Sequence, residues 1–260
     1  MPNPKLKFTF LGTGTSQGVP VIGCHCPVCT SNDPRDHRLR TSGMVSFNRK
    51  NIVIDTGPDF RQQMLRAQVD DVAAILFTHD HNDHTAGLDD VRPLNFKHQK
   101  HMPLFATPSV KHTLSQRFAY AFGENPYPGA PRLAFKTISK KEKFTIEGLE
   151  IKPIEVWHGE NLPILGFRFQ DLTYITDCKS IESEELRKIK DTKTLILNAL
   201  HHTEHPSHLN LKEALKLIEQ IEPEQAFLIH ISHTMGKYID VQKQLPRHVN
   251  LAFDGQIIEV

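Results

Sequence analysis

The sequence predicts an α/β fold. Short apolar or alternating runs recur along the chain with helix-like segments between them, and several of these runs stop abruptly at a histidine or an aspartate. With 260 residues and 38% hydrophobic content the chain can bury a sizeable core, and residues 1–260 read as a single domain.

Taken in order, Lys5 to Leu11 alternates polar and apolar residues and predicts a first strand, and Gly12 to Gly18 then permits tight turns. That loop has neither a spaced glycine fingerprint nor a phosphate-loop lysine, so it predicts a border to the active site and not a nucleotide cradle. Met44 to Phe47 and Asn51 to Asp55 predict two strands joined by the polar turn Asn48-Arg49-Lys50. Asp59 to Gln68 predicts a helix with Phe60, Met64 and Leu65 on its packed face. Pro103 to Ala106 reads as a strand and Ser109 to Tyr120 as a helix. The turn-rich Gly123 to Gly129 then offers a wall or lid for a pocket. Further strands are expected at Phe144 to Ile146, Leu149 to Val156, Ile164 to Phe169, Leu172 to Ile175, Thr194 to Ala199 and Ala226 to Ile229. Helices are expected at Glu182 to Ile189 and over the amphipathic Leu211 to Glu222, stopped by Pro223.

The chemistry gathers at strand ends. Ile75 to Phe77 runs into Thr78-His79-Asp80-His81-Asn82-Asp83-His84, placing three imidazoles and a carboxylate within six positions. His79 and His81 are two apart, so in an extended segment both side chains leave on one side and can grip one ion. Asp83 and His84 follow where the chain turns into a helix and can serve a second ion close by. Such donors suit zinc, manganese, nickel or iron, and two ions about 3.5–4 Å apart can activate a bridging hydroxide. His158 stands at another strand terminus, Asp177 closes Thr173 to Thr176, and His230 follows Ala226 to Ile229. A carboxylate such as Asp177 can bridge two ions where an imidazole cannot. Four histidines, His201, His202, His205 and His208, crowd the loop before the amphipathic helix.

Three of the four cysteines fall in Cys24-His25-Cys26-Pro27-Val28-Cys29, a spacing that reads as a metal clip and not as a disulfide framework. Three thiolates leave a fourth zinc ligand to be found among His25, His37 and the distant His233. Cys178 beside Asp177 reads as a buried, non-catalytic thiol. Without a secretory signal or an apolar membrane span, the cysteine usage fits a reducing, cytoplasmic setting. A net charge of +1 supplies no global basic field for nucleic acid. The sequence leaves a homodimer open.

The segments LGTGTSQGVPVIGCHCPVC, THDHNDH, Asp177 and LIHISH together resemble the metallo-β-lactamase superfamily of hydrolases, and within it the PhnP-like cyclic phosphodiesterases. The resemblance covers nearly the whole chain and implies an αββα sandwich, two mixed β-sheets with helices outside and metals at one edge. It implies that His79, His81 and His158 hold one ion, that Asp83, His84 and His230 hold the other, and that Asp177 bridges them. It assigns Asp55 to orienting ligands, His208 to protonating the leaving alkoxide, and Cys24, Cys26, Cys29 and His233 to one structural zinc. An imidazole suits proton donation near neutrality. The implied reaction is hydrolysis of a small phosphodiester, such as a cyclic ribose phosphate, to a monoester. Two alternatives share the resemblance: an RNase Z-like tRNA 3′-endonuclease, for which no basic arm is visible, and a PqqB-like cofactor-pathway protein that holds metal without turnover.

Overall fold

The computed structural model describes residues 6–123 and 126–260. Lys5 of the expected first strand, and Glu124 and Asn125 of the expected loop, lie outside them. Among the described residues the first sheet contains β1 (Lys7–Gly12), β2 (Ser42–Phe47), β3 (Lys50–Ile54), β4 (Ala74–Leu76), β5 (Met102–Ala106) and β6 (Leu133–Thr137). The second contains β7 (Phe144–Ile146), β8 (Leu149–His158), β9 (Leu162–Phe169), β10 (Leu172–Ile175), β11 (Thr194–Asn198), β12 (Gln225–Ile229) and β13 (Val249–Leu251). The last strand, β14 (Ile257–Glu259), returns to the first sheet beside β1. Each sheet is antiparallel in its earlier strands and parallel in its later ones: β3, β4, β5 and β6 pair in parallel, and so do β10, β11, β12 and β13.

The period-two geometry of a strand sorts its side chains into layers. Ile52, Ile54, Leu76, Ile196, Phe227 and Ile229 point between the sheets and pack with Phe8, Phe10, Phe167 and Tyr174. Their neighbours face outward to the helices. Val53 and Ile75 meet α1 (Phe60–Arg66) and α4 (Pro108–Arg117), with α2 (Asn82–Thr85) and α3 (Arg92–His98) preceding α4 in the chain. After α5 (Ala119–Phe122) comes the other flank, where Leu195, Leu197 and Leu228 meet α6 (Ser183–Ile189), α7 (Leu211–Ile221) and α8 (Tyr238–Gln242). This is the expected αββα sandwich. Strands covered on both faces read as continuous apolar runs, which is why LILN and AFLI announce themselves.

Three local expectations are corrected. Leu65 is 62% exposed and does not share the packed face of α1, which Phe60, Gln63 and Met64 form instead. At 100° per residue position 65 lies 140° from position 60, whereas 63 and 64 lie close to it. The helix expected over Ser109 to Tyr120 breaks at Phe118 into α4 and α5. Strands β6, β13 and β14 escaped the sequence reading because edge strands carry mixed patterns, as the exposed Lys136 of β6 illustrates.

Candidate metal centre

The ends of β3, β4, β8, β10 and β12 deliver Asp55, the Thr78–His79 step, His158, Asp177 and His230 to one edge of the sandwich. Most of these are carboxyl ends of parallel strands, where α/β sheets place their sites. Asp55, Asp177 and His230 all leave their strands with positive φ, at 63°, 54° and 57°. Left-handed backbone at a non-glycine residue costs energy and clusters at functional sites, with Asp and His among the more tolerant residues. Asn198 locks the Asp177–Cys178 turn, accepting from Cys178 N at 2.8 Å and donating to Cys178 O at 3.0 Å.

Two donor groups meet there. His79, His81 and His158 form one; Asp83, His84, Asp177 and His230 form the other, the ligand atoms of each group lying within 4.8 Å of one another, and His158, Asp177 and His208 meet within the same distance between them. Asp177 faces both. Its Oδ1 is 3.4 Å from His84 Nε2 and 3.1 Å from His230 Nδ1, while its Oδ2 is 4.0 Å from His79 Nε2 and 3.2 Å from His208 Nε2.

The far nitrogens of these rings are fixed. Asp55 accepts from Thr78 N at 2.9 Å, Thr78 Oγ1 at 2.7 Å and His84 Nδ1 at 2.7 Å. The Thr78 hydroxyl, having given its proton to Asp55, accepts from His79 Nδ1 at 2.9 Å. His158 Nδ1 donates to Ser207 O at 2.9 Å. With those protons placed on Nδ1, the Nε2 lone pairs of His79 and His158 turn to the centre, and His84 Nε2 faces it too. Gly57 permits the packing: a Cβ there would stand 2.1 Å from the carbonyl oxygen of Asp83.

The residues fit a cation. His79 Nε2, His84 Nε2 and His230 Nδ1 are buried with no hydrogen-bond partner, which is costly for polar atoms unless something else satisfies them. Burial pushes His79 and His158 down, and His230 to about 4, so these rings stay neutral and ligand-ready. His84 behaves oppositely. Burial works to lower it, but Asp177, Asp55 and Asp83 together raise it well above the ordinary imidazole value. Three carboxylates thus hold positive charge at a single buried point, the demand a divalent ion would meet. Burial also works against ionised Asp177, yet His230 and His84 hold it well below the carboxylate range.

Of the four loop histidines, only His208 reaches the centre. His201 bonds Thr203, His202 bonds the Met235 carbonyl at 2.8 Å, and His205 Nδ1 lies 3.1 Å from His208 Nδ1. Asp89 pairs with Arg92 and Tyr120, and His98 with the Asp70 carbonyl, so these are surface contacts. Cys178 is fully buried, and desolvation pushes its thiol up. Thr78, Ser207 and Asn198 were not singled out, and Thr15 entered only as part of the loop Gly12 to Gly18 expected to border the site. Thr15 Oγ1 lies 3.4 Å from His230 Nε2. Nothing local marks Ser207 or Asn198, whereas the Thr78 position directly before the first histidine was a usable signal.

A second cluster lies apart from the first. The sulfurs of Cys24, Cys26 and Cys29 stand 3.4, 3.4 and 3.5 Å from His233 Nδ1. Zinc–sulfur and zinc–nitrogen bonds of ordinary length give a tetrahedral S···N edge of about 3.5 Å. Donation from Cys29 N, then His233, brings the Cys26 thiol down to about 6, favouring thiolate. His37 turns away to the Ser31 carbonyl, and His25 is outside the group.

Comparison with known proteins agrees with this fold. A family model described as "Beta-lactamase superfamily domain" matches residues 50–231. The chain belongs to the metallo-β-lactamase superfamily. A crystal structure described as a new diphosphatase from the PhnP family is 37% identical, with a TM-score of 0.92 over 98% of this chain and 97% of that one. This bears out the PhnP-like resemblance. Zinc-bound PqqB from Methylobacterium extorquens, 19% identical, shares the fold with a TM-score of 0.81 over 98% of this chain and all of that one. A Porphyromonas gingivalis protein named octanoyltransferase is 38% identical over 252 residues, 96% of this chain. The chain spans 51% of that protein's length, about half of the relative it matches. Among the described residues no helix is long and apolar enough to cross a membrane.

Proposed function

We propose that this superfamily member is a dinuclear metal-dependent phosphodiesterase that hydrolyses a small phosphodiester to a monoester. The observation that carries the reading is Asp177, whose two oxygens face different donor groups while Oδ2 also meets His208 Nε2 at 3.2 Å. His79, His81 and His158 would hold one ion and Asp83, His84 and His230 the other, with Asp177 shared; zinc or manganese suits the donors, and nickel or iron also fits. Cys24, Cys26, Cys29 and His233 would hold a structural zinc. When bound, the active-site ions supply a nucleophilic water at neutral pH and positive charge for the phosphoryl oxygens.

The chain's own residues do the rest. His208 Nε2 lies 3.2 Å from Asp177 Oδ2, where it would donate to that carboxylate, and Ser207 Oγ, 3.0 Å from Nδ1, steadies the ring from behind. From there His208 can protonate the departing ester oxygen. Asp55, through Thr78 and His84, keeps the Nε2 atoms of His79 and His84 aimed inward.

The diphosphatase relative favours a second reading, cleavage of a phosphoric anhydride at the same centre. Acyl transfer, suggested by the octanoyltransferase name, finds less support. The thiol beside Asp177 is buried, and Lys179 is paired with Glu213 at 2.8 Å, so neither is free as a nucleophile.

The test is turnover of bis(p-nitrophenyl) phosphate against ADP-ribose over a metal series, with His208→Ala and Asp83→Ala alongside. Asp83→Ala should lose active-site metal and activity together. His208→Ala should keep its metal and lose roughly 10²–10⁴-fold in rate, least for leaving groups that need no proton. Full metal occupancy with no turnover of either substrate would favour a PqqB-like role, and preference for ADP-ribose would select the anhydride.

A further inference from the structure

Asp254 belongs to neither donor group, yet its side chain is only 4% exposed. Pairing of β14 with β1 brings the turn before β14 back to the residue that follows β1, so Asp254 meets Thr13 across 241 positions of sequence. Its Oδ1 accepts from Thr13 N at 2.9 Å and from Thr13 Oγ1 at 2.7 Å. Its Oδ2 accepts from Leu39 N at 2.8 Å and from Arg66 Nη1 at 3.2 Å. The buried Arg38 donates from Nη1 to Thr13 Oγ1 at 2.8 Å and to Ala252 O at 2.6 Å, which ties Thr13 to the same segment a second time.

These bonds hold a three-residue run laid against His230. Thr13 O accepts from Ile231 N at 2.9 Å, Ile231 O accepts from Thr15 N at 3.1 Å, and Gly14 N donates to Leu39 O at 2.8 Å. Thr15 Oγ1 then stands 3.4 Å from His230 Nε2, while His230 Nδ1 faces Asp177 Oδ1 at 3.1 Å. His230 thus presents Nδ1 to the centre, where His79 and His84 present Nε2, and Thr15 is the side chain at its other nitrogen. That contact has no slack. Side chains alternate along an extended run, so a slip of one residue would turn Thr15 away from the ring. A desolvated, paired charge is weak evidence for stability, and its best-attested use is to fix register. Resting on the two-ion reading, in which His230 is a ligand, we propose that Asp254 is a positioning residue for the second donor group. It locks residues 13–15 in register against residues 230–231 and so keeps Thr15 at the His230 ring.

Asp254→Asn is the direct test. The amide keeps the shape but has one acceptor oxygen, so its NH2 must face the N–H of Thr13 or of Leu39, donor against donor. In the metal-free full chain, amide exchange at Thr15 and Ile231 should quicken roughly tenfold, as for one lost hydrogen bond, with Phe227 and Leu228 of β12 unchanged. In a manganese titration, one active-site ion should bind roughly tenfold more weakly and the other as in wild type. Thr15→Val removes only the hydroxyl, so it should weaken the same ion severalfold and leave exchange at Ile231 as in wild type; it also covers the case in which Asp254→Asn fails to fold. Exchange that quickens evenly across the loop and β12, or local quickening with both ions held as in wild type, would overturn the proposal. So would wild-type manganese binding in Thr15→Val. Wild-type protein that takes up no manganese would sink the two-ion reading instead, and the exchange measurement, made without metal, still decides whether Asp254 holds the register.

Discussion

Asp55 lies behind the centre, yet two of the proposed ligands depend on it. It bonds His84 directly and reaches His79 through the Thr78 hydroxyl, so one buried carboxylate sets both tautomers. Partners of this kind are commonly worth 10–100-fold in metal affinity. Asp55→Asn should therefore weaken active-site metal binding by about that factor, read by metal retention against a graded chelator; unchanged retention with a lowered melting point would make Asp55 purely structural. His84 gives a prediction of opposite sense. Its pKa is raised by Asp177, Asp55 and Asp83 against the pull of burial, so in metal-free protein the ring keeps a proton that a ligand must lose. Metal loading should release about one proton from it and tighten as pH rises. Calorimetry in buffers of different ionisation enthalpy measures that release, and proton uptake on loading would refute it.

At the scale of helices and strands, what the sequence disclosed followed from burial. Strands sealed on both faces were legible as apolar runs, and the donors His79, Asp177 and His230 were legible because each follows such a run, whereas His158 ends the partly exposed β8 and was singled out by the family resemblance. Partners that act through a backbone carbonyl or a single hydroxyl, such as Ser207, have no local signature, since tertiary packing alone brings them within reach, and Thr15 was legible only through its loop. The packed face of α1 was misassigned for a different reason, a one-position error in helical phase. Met64→Ala should accordingly cost about 2–5 kcal/mol, while Leu65→Ala should stay within about 0.5 kcal/mol, both by denaturant melts. Equal losses would return Leu65 to the core. Helix α7 is stopped at its start by a capping box, with Asn210 and Glu213 bonding each other's backbone, and Glu213 also holds Lys179, two residues from Asp177.

Across the whole molecule, the two halves repeat one plan, an antiparallel start and a parallel finish, and the candidate centre sits where their strand ends meet. No periodicity in the sequence betrays that likeness. What ties the chain's beginning to its end is the loop after β1: Gly14 bridges both Arg40 and Ile231, Thr15 meets His230, and the cysteines that follow converge on His233. A metal clip joining Cys24 to His233 closes most of the chain into one loop, and long closures restrict the unfolded ensemble most in principle. Cys26→Ser should then remove one zinc per chain and lower the melting point. It should also loosen Thr15 from His230, so that activity falls at limiting metal and recovers when metal is in excess. Elemental analysis with activity titrated against manganese separates these effects. If the variant loses its zinc but keeps the wild-type manganese dependence, the clip stabilises the fold without supporting the centre.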